Sequence, residues 1–356
     1  MIEKFTISRD DSVYECFPDV CMTQSGRLVL TYRESDSHGA AEFSYLLYRV
    51  SQDNGRTWSD KTYLDRQDKS DGVLFKWNCP RVSQLSDGRL IILCDGYRVP
   101  PGEGGSQYES RQWLWISDDD AESFADRVET PVCGIVPDKL VELQSGRLLL
   151  GAHVHDQDLG GVFRQMVFIS DDGAASWRGP ITICCTHHYD ACEGGIVQLP
   201  SGELVCYMRD NSRTGRPGPK CISHDEGETW LGPFDTLMNG LHRPAVGLTN
   251  RCPAGQTPSS VRKQPEVMVT YRFHPGGPFA KNFFAYKESL ESALEPRRDK
   301  QSGIILPLDH DRNPQSVSSY SGWVHLPDGR FFAVNYIKDD APMAQIRGYY
   351  WTEEDF

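Results

Sequence analysis

Ser-Gln-Asp-Asn-Gly-Arg-Thr-Trp at residues 51–58 is an eight-residue pattern that returns at residues 223–230 as Ser-His-Asp-Glu-Gly-Glu-Thr-Trp. Looser copies lie at residues 117–124 and 170–177. The aspartate can accept hydrogen bonds from turn N–H groups, the glycine tolerates a positive φ, and the final aromatic ring can fill an apolar seam. The copies start 66, 53 and 53 residues apart, so this turn motif predicts a repeat architecture.

A second repeat, out of phase with the first, predicts hairpins. Five segments place a Ser-Gly or Asp-Gly turn between two apolar strands, and their glycines are Gly26, Gly88, Gly146, Gly202 and Gly329. The last interval is about twice the others, and residues 243–249 and 266–272 supply the missing hairpin. We therefore predict an all-β chain, a six-bladed β-propeller with four-stranded antiparallel blades, as a single domain over residues 1–356. Residues 2–8 have no hairpin partner of their own, so this N-terminal strand is expected to complete blade six and close the ring.

Composition argues against several classes of function. The net charge of −13 argues against nucleic acid as a partner, and no apolar run approaches the roughly 20 residues of a membrane span. The eleven cysteines include no C-x-x-C pair, so neither zinc nor a redox motif is expected. We also predict no cofactor and no other metal site. The first residues lack a basic and then apolar leader, and scattered cysteines are typical of a reduced protein, so we expect a cytoplasmic location.

The geometry of a propeller blade assigns each strand end and turn to one of two rims. The start of the first strand and the end of the second lie on one rim, and the turn motif lies on the other. Nine residues before the hairpin glycines, the first rim receives Phe17, Cys79, Pro137, Glu193 and Tyr320, with Arg243 equivalent in blade five. Seven residues after the glycines it receives Arg33, Asp95, His153, Arg209 and Tyr336, with Arg272 equivalent in blade five. Three arginines at one register position predict an anion-binding site, because guanidinium groups bind carboxylates bidentately.

The turn motif resembles the Asp-box of sialidases, and two further segments extend the resemblance to essentially the whole chain. Residues 190–209 resemble the sialidase stretch that holds a catalytic glutamate and an arginine of the carboxylate-binding triad. Residues 320–330 resemble the segment that carries the tyrosine nucleophile. The resemblance implies that Tyr320 attacks the anomeric carbon and Glu193 takes its proton, with retention of configuration.

The chain also departs from the sialidase pattern. Typical sialidases open blade one with Arg-Ile-Pro, where residues 16–18 read Cys-Phe-Pro, and Lys281 stands where the family commonly has its third arginine. The expected carboxylate clamp is therefore Arg33, Arg209 and Arg272. For the acid that protonates the leaving group, the loop after the second strand of blade one offers Asp36, His38 and Glu42, of which Asp36 and His38 are preferred. Ile337 replaces a glutamate of the family.

These observations predict an exo-acting glycoside hydrolase that cleaves a terminal α-linked sialic acid or a related acidic keto-sugar. Its partner is a carbohydrate that bears a carboxylate. Further substrate-binding candidates are Arg243, Asp95, His153, Tyr336 and Lys281.

Two alternatives stay open. A polysaccharide lyase or atypical glycosidase acting on a uronate- or rhamnose-containing glycan is suggested by the histidine-rich residues 153–156 and 187–190. A non-catalytic propeller that binds a glycan is the other alternative.

Overall fold

The computed structural model describes residues 1–99, 110–136, 138–249, 264–276 and 281–356. Within these ranges the strands form six antiparallel sheets, each with the strand order of a propeller blade. Contacts divide the chain into two compact units. The first holds the described parts of Met1–Val136 and Asp311–Asp355, and the second those of Pro137–Arg251 and Ser260–His310. The prediction of one domain over residues 1–356 stays a prediction.

The first unit contains blades one, two and six. Blade one consists of β2 (Tyr14–Met22), β3 (Leu28–Ser35), β4 (Phe43–Ser51) and β5 (Thr62–Asp68). Blade two consists of β6 (Leu74–Trp77), β7 (Arg81–Gln84), β8 (Leu90–Val99), β9 (Arg111–Ser117) and β10 (Val128–Cys133). Blade six consists of β1 (Glu3–Ser8), β23 (Ser321–His325), β24 (Phe331–Ile337) and β25 (Gln345–Trp351). Because β6 and β7 both pair with β8, the innermost strand of blade two is broken into two pieces.

The second unit contains blades three, four and five. Blade three consists of β11 (Val141–Glu142), β12 (Leu148–Asp156), β13 (Val162–Ser170) and β14 (Arg178–Cys184). Blade four consists of β15 (Ala191–Gln198), β16 (Leu204–Asp210), β17 (Pro217–Ser223) and β18 (Leu231–Asn239). Blade five consists of β19 (Leu241–Leu248), β20 (Val267–Phe273), β21 (Asn282–Glu288) and β22 (Gly303–His310). The only helical segments of the described residues are α1 (Leu290–Leu294) and 3-10 turns at Arg298–Lys300 and Glu353–Asp355.

The N-terminal strand completes blade six, as the sequence predicts. β1 pairs antiparallel with β25, with Glu3 opposite Tyr350. The sheet order β1-β25-β24-β23 makes it the outer strand of the last blade. The fold class predicted from the two repeats, an all-β six-bladed propeller with four-stranded blades, is confirmed.

Burial explains why the second strands begin with apolar residues. Every residue of β3 and of β24 is buried. The outer strands β5 and β22 are mostly half-buried or exposed. Apolar side chains fill the seam between blades six and one, among them Leu30, Tyr32, Phe332, Val334 and Tyr350.

The turn motif has the chemistry that its residues predict. Asp53 accepts hydrogen bonds from the backbone N–H and the hydroxyl of Thr57 at 2.8 and 2.6 Å. The Trp58 indole donates to the carbonyl of Gly55 at 3.0 Å. Gly55 has a φ of 93°, and a Cβ there would lie 2.8 Å from the ring of Phe332. Both carboxylate oxygens of Asp53 therefore accept hydrogen bonds within the turn.

Three negative findings concern the described residues. None of their helices is long and apolar enough to cross a membrane. In the same residues, no three histidine, cysteine or acidic side chains are grouped so as to hold a metal ion. None of the cysteines in these residues forms a disulfide bond.

Candidate active site

The rim position predicted from the hairpin spacing is a β-bulge in three blades. Phe17, Glu193 and Arg243 have φ angles of 58°, 51° and 51°. The strand register shifts at each of these positions in blades one, four and five. Non-glycine residues persist at positive φ only where the surrounding structure imposes it, and bulges redirect side chains beside active sites. Blades one, four and five therefore each direct one rim side chain by a β-bulge with a strained backbone.

The predicted register of the three arginines is confirmed. Arg33 pairs across the strands with Cys16, Arg209 with Cys192, and Arg272 with His242. Each arginine thus faces the residue that precedes the bulge in its own blade.

In the second unit, Arg209 and Glu193 form an ion pair beside the bulge of blade four. Nη1 of Arg209 lies 2.9 Å from Oε1 of Glu193, and each side chain is 11% exposed. Nη2 of Arg209 also donates to the side-chain oxygen of Asn211. The sparse exposure strengthens the interaction relative to a surface pair.

Three histidines surround this ion pair, and all three are held neutral. Burial lowers the pKa of His153 to about 3, and Arg243 and Arg209 act in the same direction. Burial likewise lowers the pKa of His274 to about 4, aided by the positive charge of Lys281.

The third histidine is the most affected. Burial lowers the pKa of His242 far below its ordinary value, and the positive charge of Arg209 adds to the effect. Its ring stacks on that of His274 with centroids 4.9 Å apart and an interplanar angle of 26°. His274 accepts a hydrogen bond at Nδ1 from the backbone N–H of Gly276 at 3.1 Å, so its proton is on Nε2.

We call these residues the arginine–histidine cluster: Glu193, Arg209, Arg243, Arg272, Lys281, His153, His242 and His274. Arg243 is 1% exposed and Arg272 is 5% exposed. Arg209 influences the titration of all three histidines, which places the group around one centre. Four cations accompany a single carboxylate among the members, so the cluster favours an anion.

In the first unit, the rim is lined with rings. Tyr320 packs against Phe17 with ring centroids 5.3 Å apart, and Phe17 packs edge-on against Tyr336 at the same distance. His38 is exposed, lies 5.3 Å from the Phe17 ring, and its Nδ1 is 3.3 Å from the Tyr14 hydroxyl. We call Phe17, His38, Tyr320 and Tyr336 the aromatic cluster. It presents a partly exposed phenol, Tyr320, on an otherwise apolar wall.

Arg33 lies in the first unit in surroundings unlike those of Arg209. Its side chain is 0% exposed, and its two terminal nitrogens donate to the carbonyls of Trp77 at 3.0 Å and His38 at 2.7 Å. The guanidinium also lies over the Phe17 ring, 4.7 Å from its centroid. These contacts hold the His38 loop in place, and they weigh against the expected role of Arg33 in a carboxylate clamp.

Asp36 closes its own loop. Its Oδ1 accepts hydrogen bonds from the backbone N–H groups of Ala41 and Glu42 at 2.8 and 2.9 Å. Burial raises the pKa of Asp36, but these donors lower it more, so the pKa lies below its ordinary value. A carboxylate held in its ionised form is a poor proton donor, and the exposed His38 is therefore the better candidate for the general acid.

Asp95 is also tied into the fold. It is fully buried and accepts hydrogen bonds from Asn78 at 3.1 Å, Ser110 at 3.0 Å and the backbone N–H of Val136 at 3.3 Å. These contacts give Asp95 a role in holding blade two together.

The structure adds three residues that sequence reasoning missed. His242 precedes the bulge at Arg243 and pairs across the strands with Arg272. His274 follows β20. Lys76 lies on β6, where burial and the charge of Arg33 lower its pKa to about 8. A sequence signal existed for His242 alone, since it occupies the place before a rim residue.

Tyr320 belongs to the first unit and Glu193 to the second. Their pairing as nucleophile and base stays a prediction, as do the roles of the other rim residues.

Comparison with known proteins identifies the repeat and the fold. Residues 79–244 match the family model of the BNR repeat-like domain. No curated protein sequence matches the chain. A protein of unknown function from Dyadobacter fermentans DSM 18053 has a similar crystal structure, with 17% identity and a TM-score of 0.77 over 98% of both chains.

Two similar structures are of named enzymes. The Hadza microbial sialidase Hz136 is 16% identical with a TM-score of 0.72, and the match covers 99% of this chain and 68% of the sialidase. The α-L-arabinofuranosidase Arb93A from Fusarium graminearum is 13% identical with a TM-score of 0.63, over 99% of this chain and 98% of the enzyme. At such low identities these likenesses establish the fold. The chain therefore has the six-bladed propeller fold of these sialidase and arabinofuranosidase structures, and its residues 79–244 match the BNR repeat-like domain model.

Proposed function

We propose that the protein is an exo-acting glycoside hydrolase that removes a terminal acidic sugar, a sialic acid or a related keto-acid sugar. The observation that carries the proposal is the arginine–histidine cluster. Its members include four cations and one carboxylate, in a chain whose net charge is −13. Such a local excess of positive charge favours an anionic group of the substrate.

Within the cluster, Arg209 and Arg272 are the proposed carboxylate ligands. Both lie at the predicted register position and retain slight exposure, at 11% and 5%. The neutral histidines can donate single hydrogen bonds without adding charge. Arg33 is left out of this clamp because its terminal nitrogens donate to backbone carbonyls.

Tyr320 is the proposed nucleophile and Glu193 its base. A phenol has an ordinary pKa near 10 and attacks only when a base withdraws its proton. An uncharged nucleophile also avoids repulsion with a carboxylate at the anomeric centre. The partial exposure of Tyr320 on the aromatic cluster, and the strained backbone that directs Glu193, support these roles. His38 is the proposed proton donor to the leaving group.

The test is release of an aryl group from α-linked 4-methylumbelliferyl glycosides of sialic acid, its deaminated analogue and an eight-carbon keto-acid sugar. An aryl α-L-arabinofuranoside serves as the neutral comparison. We expect turnover of at least one acidic substrate and none of the neutral one. Tyr320→Phe is expected to reduce kcat by at least about 10³-fold.

The matched control is Tyr45→Phe, which removes a phenol that donates to Asp68 at the outer side of blade one. It is expected to leave turnover unchanged. Absence of turnover on every acidic substrate, or full activity in Tyr320→Phe, would refute the proposed mechanism. Hydrolysis of the arabinofuranoside alone would show that the substrate is a neutral sugar and would refute the proposed acidic substrate.

A lyase acting on a uronate-containing glycan is the second candidate. It is favoured by one observation, the placement of histidines beside arginines, because an imidazole can remove a proton while a guanidinium binds the uronate carboxylate. A lyase releases an unsaturated product that absorbs in the near ultraviolet. Such a product from a polyuronate, abolished by His153→Gln, would favour the lyase over the hydrolase.

A further inference from the structure

A groove lies beside the turn motif of blade two, within the first unit. Its volume is about 540 Å³, within the roughly 300–1,000 Å³ typical of small-ligand sites. Tyr63 of blade one and Phe124 of blade two line it with partly exposed rings, whereas the Tyr48 and Trp115 rings beside them are only 4% and 3% exposed. The turn motif lies at the strand ends away from the aromatic cluster, so this groove is separate from the rim described above.

The sequence of this Asp-box explains why the groove is open. The other three copies end in Trp58, Trp177 and Trp230, whereas this copy ends in Phe124. At the two exact copies the indole N–H donates to the glycine carbonyl, at 3.0 and 3.1 Å. Phe124 has a smaller ring and no N–H group, and it packs edge-on against Tyr48 with centroids 4.8 Å apart. Its substitution for tryptophan leaves space beside the turn.

The charges of the groove select the kind of ligand. Asp65, Glu122 and Asp126 line it with three carboxylates, and Arg127 is its single cation. Arg127 is paired with Asp65. An acidic sugar would be repelled by this excess of negative charge. Carboxylates accept hydrogen bonds from hydroxyl groups, and the partly exposed rings of Tyr63 and Phe124 can pack against the C–H face of a sugar ring.

We propose that this groove binds a neutral, hydroxyl-rich sugar unit of a glycan. It is a second carbohydrate site whose charge is opposite to that of the arginine–histidine cluster. The inference does not depend on catalysis by Tyr320.

The experiment is isothermal titration of the protein with neutral disaccharides, namely lactose, cellobiose, maltose and xylobiose, and with digalacturonate as the acidic comparison. We expect at least one neutral disaccharide to bind with a Kd of about 1 mM or below, and digalacturonate not to compete for that site. Phe124→Trp restores the consensus box and fills the groove, so it is expected to weaken this binding at least about tenfold.

The matched control is Trp177→Phe, which changes the aromatic residue at the same position of another box and is expected to leave binding unchanged. Asp126→Ala removes an exposed carboxylate of the groove without disturbing the core, and is expected to weaken binding about threefold or more. If Phe124→Trp does not fold, the binding affinity of Asp126→Ala tests the proposal alone. Failure of every neutral disaccharide to bind, or unchanged binding in both groove variants, would overturn the proposal. Loss of turnover in Tyr320→Phe with groove binding intact would separate the two sites.

Discussion

Arg33 and Arg209 occupy the same register position in two blades, yet they have different surroundings. Arg33 is fully buried, donates to two carbonyls and lies over the Phe17 ring. Arg209 keeps 11% exposure and pairs with Glu193 among neutral histidines. Identical placement in a repeat therefore does not give identical chemistry. The residue at the bulge differs between the two blades: beside Phe17 the arginine holds a loop, and beside Glu193 it forms an ion pair.

The sharpest test of this comparison is Arg209→Lys. The lysine keeps a positive charge beside Glu193 but loses the planar fork that binds a carboxylate bidentately. We expect kcat/KM on the acidic glycoside to fall about 100-fold with little change in thermal stability. Steady-state kinetics and a melting curve measured by circular dichroism check both parts. Unchanged kinetics would remove Arg209 from the clamp.

The reciprocal change, Arg33→Lys, is expected to act on stability. Lysine can replace only one of the two hydrogen bonds to carbonyls, and loss of a buried hydrogen bond to a charged group costs about 2 kcal/mol. Urea denaturation measures the free energy of unfolding. The folded variant is expected to retain KM within about twofold. A large rise in KM without loss of stability would return Arg33 to the carboxylate clamp.

The neutral histidines around Arg209 make the free energy of unfolding depend on pH, whereas the surroundings of Arg33 include no such buried histidine among its described contacts. Burial lowers the pKa of His153 to about 3. Between this value and the ordinary histidine pKa of about 6.5, the residue is protonated in the unfolded chain and neutral in the folded chain. Its contribution to stability is complete above the ordinary histidine pKa of about 6.5 and is lost as the pH falls toward about 3. We expect His153→Gln to lose about 1–2 kcal/mol less than the wild type between pH 7 and pH 5. Urea denaturation at both pH values gives the difference, and equal losses would contradict the burial argument.

The smallest expected effect concerns the Asp-box of blade one. Asp53→Ala removes the two hydrogen bonds from Thr57 and is expected to cost about 1 kcal/mol of unfolding free energy. Turnover is expected to be unchanged, because the box lies at the ends of the strands away from the rim. A loss of kcat in a stably folded Asp53→Ala variant would show that the boxes do more than shape the turn.

The repeats made the fold predictable from the sequence. Five hairpin glycines and one doubled interval between them indicated six blades, and the unpaired residues 2–8 identified the strand that completes blade six. Both features depend on local turn chemistry and on the period of two residues along a strand, which a sequence displays directly. The register of Arg33, Arg209 and Arg272 followed from the same spacing.

The chemistry of the rim was less predictable, because it depends on contacts between residues distant in sequence. Nothing in the segment around Arg33 shows that the carbonyl of Trp77 accepts its Nη1 proton, 44 residues away. The neutrality of His242 arises from burial and from Arg209 in another blade. The positive φ of Glu193 is imposed by the bulge in blade four. Such features require the packed structure.

The central claim is that Arg209 and Arg272, rather than Arg33, bind the carboxylate of an acidic sugar. A crystal structure of the protein with the unsaturated analogue of sialic acid, 2-deoxy-2,3-didehydro-N-acetylneuraminic acid, tests it most directly. We predict that both carboxylate oxygens lie within hydrogen-bond distance of the Arg209 and Arg272 guanidinium groups, with Arg33 still bound to the carbonyls of Trp77 and His38. A carboxylate bound by Arg33, or an analogue bound away from the arginine–histidine cluster, would contradict the claim.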